Sequence, residues 1–308
     1  METVIGNTLF FDWEVSLIVW LQNNVGPIGE KLAMAFTYLG EPLTLVLVIG
    51  LFYWGLDKKF GKDLAACLYP VCLWGSMLKN VILRRRPYMD HEAIRCIRPA
   101  EKGDIYDIAL QGYSFPSLHA ANSSALFFRV GQYTQKTACR VILYLLPLLV
   151  GLSRIILGVH YPTDVLAGWA LGILIMLVIG WLLKKLPNRG FVFLILLISG
   201  FPGFFFCASK DFYTSYGLIL GTAAGFFFEE KFVNFGDAEN LPRALLRVAG
   251  GVALYLGLSA LLKLPFPKEL LASETTASFL IRTGRYALIA FLILGVYPLC
   301  FPKNSREN

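Results

Sequence analysis

Charge is scarce in this chain. Charged residues fill 16% of its 308 positions, against roughly a quarter in an average soluble domain. They gather around 57–63, 84–107, 184–189, 229–247 and 263–285. The stretches between are apolar over about the ~20 residues that cross a bilayer. That pattern excludes a disordered chain, a disulfide-stapled secreted fold, an all-β barrel and a soluble nucleic-acid binder. Cysteine is also sparse: there are six, with no CxxC and no paired framework, and only Cys96 lies in a long polar loop. Neither zinc nor a structural disulfide is indicated. The chain has no HExxH and no clustered carboxylates, so no metal is expected. No Lys or Arg precedes Lys31, so the cationic n-region of a cleaved signal peptide is missing.

What is present is a series of apolar runs holding most of the 56% hydrophobic content. Nine read as clear spans: Pro42–Leu56, Leu64–Leu83, Ser117–Tyr133, Val141–Gly158, Asp164–Leu183, Phe191–Ala208, Phe212–Phe228, Ala244–Leu262 and Tyr286–Phe301. Thr8–Gln22 is shorter and carries Asp12 and Glu14, with Leu9, Trp13, Leu17 and Trp20 near helical spacing. It reads as an interfacial amphipathic helix, with a true first span as the alternative. The net charge of +7 (28 basic minus 21 acidic residues) sits mostly in loops, as membrane topology alone produces.

Three short loops carry Lys58, Lys59 and Lys62; Lys136 and Arg140; and Lys184, Lys185 and Arg189. By alternation they share one side, which the positive-inside rule places in the cytoplasm. The longest polar stretch, Arg84–Phe115, then faces outward together with 159–163. Its arginines vote against that placement and call for another reason to be there.

The outward side collects the reactive groups. Lys79, Arg84, Arg85 and Arg86-Pro87 end one span. Pro116-Ser117-Leu118-His119 begins the next, and Ser153-Arg154, His160 and Asp164 bridge two more. Two of the chain's three histidines are among them. Lys79, Arg86 and Arg154 can neutralise phosphoryl oxygens, the arginines in bidentate fashion. Ser117 and the first amides of the helix starting near Pro116 add donors at a positive dipole end. A histidine paired with Asp164 has the arrangement of an activated nucleophile, and the other can act as acid and then base.

The pattern resembles the type 2 phosphatidic acid phosphatase superfamily, related to vanadium haloperoxidases. Its signatures KxxxxxxRP, PSGH and SRxxxxxHxxxD read here as Lys79 to Arg86-Pro87, Pro116-Ser117-Leu118-His119, and Ser153-Arg154 to His160 to Asp164. The resemblance implies an all-α, polytopic transmembrane helical bundle with a six-helix phosphatase core and about four additional C-terminal spans. Residues 1–41 would form the interfacial or first-span segment, 42–186 the core, and 187–308 the additional helices. It also implies hydrolysis of a lipid phosphate or diphosphate through a phosphohistidine, with no cofactor or metal. His160 would be the nucleophile, Asp164 its partner and His119 the leaving-group acid. Lys79, Arg86, Ser117, Leu118 and Arg154 would hold the phosphate.

Leu118 stands where the family usually has glycine. Its amide survives, so the departure is expected to tune substrate shape. The Glu229-Glu230 pair is expected to be interfacial and carries no catalysis. The expected partners are the bilayer and a lipid phosphate, with no nucleic acid. The expected location is the bacterial inner membrane, with the site on the non-cytoplasmic face. Two alternatives are a lipid phosphotransferase using the same phosphohistidine and a transporter whose cationic pocket only binds.

Overall fold

The structure, a computed structural model, describes residues 6–302. Its regular elements are helices: α1 (Asp12–Asn24), α2 (Gly26–Thr37), α3 (Pro42–Leu51), α4 (Lys58–Ile82), α5 (Pro87–Asp90), α6 (Ile108–Gln111) and α7 (Leu118–Tyr133). They continue with α8 (Thr137–Ile156), α9 (Pro162–Lys185), α10 (Arg189–Gly200), α11 (Lys210–Phe228), α12 (Leu241–Leu261), α13 (Lys268–Ala272) and α14 (Thr276–Phe291). The fold is an all-α polytopic bundle. Among the described residues the β-type pairing is an isolated bridge between Asn7 and Arg84.

Helix starts fall where side chains cap them. Asn188 accepts from the Phe191 N–H, Asn240 from Arg243 and Thr275 from Ser278. Each cap satisfies an amide that has no partner within its helix. These helices therefore begin before the apolar runs do, most clearly α14, which starts ten residues ahead of Tyr286 with Arg282 and Arg285 in its helical turns.

Among the described residues, five helical segments are long and apolar enough to cross a membrane: α4, α8, α9, α12 and Thr276–Cys300. Gly26–Gly40 and Pro42–Leu56 pass the same test together but are bent by 52° at the break between them, the geometry of a broken span or a re-entrant loop. The apolar runs predicted at 117–133, 191–208 and 212–228 are largely helical but do not pass. Helix α7 buries Asn122, Ser123 and Ser124, and α11 buries Ser215, Gly217, Gly221 and Thr222. A helix surrounded by protein needs small, closely packing residues more than lipid-soluble ones. Helix α1 has 13 residues, about 20 Å at 1.5 Å each and short of a ~30 Å hydrocarbon core.

The chain forms two compact units. The first comprises the described residues through Leu45 and Trp74–Leu177. Ile18, Tyr88, Ile94, Ala120, Ile156, Leu157 and Val165 lie in its core. Helices α7 and α9 approach closely there. A Cβ on Gly168 would lie 2.5 Å from the Ser117 carbonyl oxygen, and one on Gly172 would collide with that of Ala121.

The second unit comprises Val46–Leu73 and the residues from Val178 onward. Helix α11 carries Gly217, Gly221 and Gly225 at four-residue spacing. Cβ atoms on the first two would collide with the Thr283 and Ala287 carbonyl oxygens of α14. Small residues at that spacing let two backbones touch. Glu229 is fully buried, paired with Lys58 at 2.8 Å and Lys62 at 2.6 Å, and Lys62 also reaches Glu230 at 2.9 Å. Only Glu230 of this acid pair is exposed, at 57%. The expected interfacial pair is thus half of a buried charge network.

Candidate active site

All three sequence motifs lie in the first unit. Lys79 is in the last turn of α4, and its ammonium donates to the Tyr113 carbonyl and, at 3.4 Å, to that of Ser114. Leu83 then takes a left-handed conformation (φ 55°) and ends the helix. Arg86, 5% exposed, is held by carbonyls. Its Nη2 donates to Gln111 O at 2.7 Å, its Nη1 to Val159 O at 3.1 Å, and its Nε to Gly112 O at 3.0 Å. Neutral oxygens thus fix both cations in place.

Ser117 is the residue before α7. Its amide donates to the Asp164 carbonyl at 3.0 Å, which joins the second motif to the third. Its buried Oγ has no hydrogen-bond partner. Arg154, 4% exposed, donates from Nη1 to Thr37 Oγ1 at 2.6 Å, and its Nε is buried without a partner. Four residues on, Gly158 turns the chain with φ 75°, and a Cβ there would collide with the Arg95 carbonyl oxygen. Only glycine accepts that combination without strain. The turn delivers His160, 2% exposed.

His160 Nδ1 lies 3.5 Å from Asp164 Oδ2 and makes no hydrogen bond. The two side chains expected to pair are thus neighbours without a hydrogen bond, and the carboxylate's hydrogen bonds go elsewhere. Oδ2 accepts the Tyr161 N–H at 2.8 Å, and Oδ1 accepts Arg84 Nη1 at 2.7 Å. Catalytic hydrogen bonds are often long before substrate binds. Burial, followed by the charges of Arg86, Arg154, Lys79 and His119, pushes His160 well below the ordinary histidine range. Its imidazole is neutral at pH 7, as a nucleophile requires.

His119, in the first turn of α7, is backed by the short turn after α2. A Cβ on Gly40 would lie 2.7 Å from the His119 carbonyl oxygen and 3.0 Å from its Cβ. Leu118 points elsewhere: a Cβ on Gly75 of α4 would collide with its Cδ2. The side chain that replaces the family's glycine therefore lies over a glycine of α4.

Four contributors went unassigned at the sequence level. Arg84 is buried between Asp164 and Glu14, and its guanidinium lies 4.0 Å from the Tyr161 ring centre. Glu14 of α1 is fully buried, although its helix was read as interfacial. Thr37 supports Arg154, and Thr163 hydrogen-bonds both Glu14 and Arg84. The remaining long-loop arginines are also partnered. Arg85 pairs with Asp90 at 3.0 Å, Arg95 with Glu30 at 2.8 Å and Arg98 with Glu41 at 2.5 Å. These ion pairs are a reason for the loop's arginines that does not depend on membrane orientation.

The chain matches the PAP2 superfamily model over residues 61–187 and the model described as PAP2 superfamily phosphatase, transmembrane extension, over 213–305. It is 26% identical to phosphatidylglycerophosphatase B of Bacillus subtilis over 49% of this chain and 73% of that one. It is 29% identical to mouse sphingosine-1-phosphate phosphatase 1 over 61% of this chain and 45% of the relative. Undecaprenyl-diphosphatase of Sulfolobus acidocaldarius is 28% identical over 44% and 59%, respectively. The chain thus spans less than two thirds of the length of the last two. No solved structure matches it. With the Lys79–Arg86, Ser117–His119 and Arg154–Asp164 segments gathered in one unit and a matching extension beyond them, the chain belongs to the PAP2 superfamily.

Proposed function

We propose that this integral membrane protein hydrolyses a lipid phosphate or diphosphate monoester through a phosphohistidine on His160, without a metal. The observation that carries this reading is a pair of buried, unsatisfied groups on the motif segments that also hold the buried, neutral His160 and its neighbour Asp164. Ser117 Oγ and Arg154 Nε lack partners, and a buried donor without an acceptor costs about 1–3 kcal/mol. A tetrahedral phosphate would satisfy both, with Lys79 and Arg86 supplying further charge.

In the first step His160 Nε2 attacks phosphorus as the P–O bond breaks. The electron pair leaves on the ester oxygen, which takes a proton from His119. Burial and the charges of Arg154 and Arg86 hold His119 well below the ordinary histidine range, and a phosphate dianion that offsets those charges lets it carry that proton. In the second step His119 accepts a proton from water, the water oxygen attacks phosphorus, and the P–N pair returns to His160. Asp164 stabilises the charge on the imidazole in between. The relatives named above act on phosphatidylglycerophosphate, sphingosine 1-phosphate and undecaprenyl diphosphate by their names, which supports an amphiphilic substrate. We place the site on the non-cytoplasmic face of the membrane, a bacterial inner membrane.

The test is phosphate release from a lipid phosphate panel by the purified protein in detergent, where no gradient can support transport. His160→Ala should abolish release from every substrate. His119→Ala should lose about 10²–10⁴-fold on a lipid phosphate and much less nitrophenol release from p-nitrophenyl phosphate, whose leaving group needs no proton. A nitrophenol burst from His160→Ala would show that another group is the nucleophile. Chelators should leave turnover nearly unchanged and vanadate should inhibit it. Loss on chelation with recovery on Mg²⁺ would reject the metal-free mechanism.

A further inference from the structure

We propose that Glu14 and Arg84 are positioning residues for His160, acting through Asp164, so that the first helix is a working part of the site. This rests on the reading of His160 as the nucleophile. The links run from one helix to another. Glu14 Oε1 accepts from Thr163 Oγ1 at 2.6 Å and from the Thr163 amide at 3.0 Å. Its Oε2 accepts from Arg84 Nη2 at 2.8 Å and from the Phe11 amide at 3.0 Å. Arg84 Nη1 then donates at 2.7 Å to both Thr163 Oγ1 and Asp164 Oδ1. Its Nε is anchored on the Leu9 carbonyl at 2.7 Å.

The charge count is what a merely structural clip would not need. Arg84 and Asp164 alone would make a neutral buried pair. The structure adds a second fully buried carboxylate, so two anions share one guanidinium that is itself 4% exposed. Burying an extra charge is costly unless its interactions compensate. Here the surplus negative charge lies on the Asp164 side of an imidazole otherwise surrounded by cations. The charges of Lys79 on α4, Arg86 after it and Arg154 on α8, with the titratable His119 on α7, all bear on His160. Glu14 draws part of the Arg84 charge away from Asp164. Asp164 is then left able to stabilise the positive imidazole that forms as the P–N bond closes.

That division of charge predicts opposite effects for two variants. In Glu14→Gln the Arg84 charge bears wholly on Asp164, His160 holds a proton less tightly, and the acid limb of the phosphorylation rate moves to lower pH. In Arg84→Gln the Asp164 charge bears in full on His160, and the limb moves to higher pH. The experiment follows the pre-steady-state nitrophenol burst from p-nitrophenyl phosphate against pH, using the full chain in detergent. Both variants should lose roughly 10–100-fold in burst rate, the size found when the hydrogen-bond partner that orients a metal-bound histidine is removed, with KM within about threefold. Arg84→Lys should restore part of the loss.

Limbs that stay in place, or move the same way in both variants, would overturn the proposal and leave Glu14 as a structural pin for α1. Glu14→Gln is isosteric and decides alone should Arg84→Gln fail to fold. Wild-type protein that releases no nitrophenol, in a burst or in the steady state, would sink the phosphatase reading itself; with turnover but no burst, the same limbs are read from kcat/KM, which the phosphorylation step governs. A wild-type burst abolished by His160→Ala and unaltered in Glu14→Gln would sink only the positioning role.

Discussion

Leu118 and Gly75 are one feature at the residue scale. The leucine replaces a motif glycine, and the glycine on α4 is where its side chain goes. Overpacking a well-filled site typically costs about 1–3 kcal/mol. Gly75→Ala should therefore lower the thermal transition and reduce turnover by displacing Leu118, and adding Leu118→Gly should recover both. Leu118→Gly alone should retain turnover at reduced stability. Thermal melts and phosphate release on the three variants check this, and a Gly75→Ala protein of unchanged stability would dissolve the pairing. The depressed His160 pKa carries a sign as well. The residue must be neutral to attack, so the His160 limb of kcat/KM should fall below the ordinary value of about 6.5; a limb above that value would contradict the burial argument. The motif residues were legible because their spacing is local. Glu14, Thr37 and Arg84 were not, because their partners lie 149, 117 and 80 residues away along the chain.

Elements were legible as apolar runs, and least so at their edges. Polar caps such as Asn240 and Thr275 extend α12 and α14 beyond those runs. Helix α1 hid its polar contacts for a physical reason: its outward face carries Trp13 and Trp20, while the buried one carries Glu14, Ile18 and Gln22. Amphipathicity normally buries the apolar side; here the polar side is drawn inward by Arg84 and the Arg95 backbone. The glycine stripe on α11 lends itself to a direct test. Gly221→Leu would drive a side chain into the Ala287 carbonyl of α14 and should destabilise the protein, whereas Gly180→Leu, in open space on α9, should be tolerated. Equal melting temperatures would show that the stripe is not a tight contact.

At the scale of the whole molecule, side-chain pairing changes which charges report orientation. Lys58 and Lys62 are bound to Glu229, and Arg189 is paired with Asp63 at 2.6 Å. Lys59, Lys136, Lys184 and Lys185 remain exposed and carry the vote. Cys96 is a poor probe of orientation, because burial pushes its thiol up and only the thiolate reacts. Cys139, exposed near Lys136, is the better one. An impermeant thiol reagent should label it only after lysis, and labelling in intact cells would reverse the orientation. The link from Glu14 to Thr163 has a further consequence, in time rather than space. Contacts that close long loops form late because their entropy cost comes before their reward, and this one joins residues 149 apart. During refolding in detergent, helicity should return before the burst does, since α1 and α9 can each form before Glu14 docks. The enzyme would then pass through a helical, silent stage, with the first helix made among the last to take its working place.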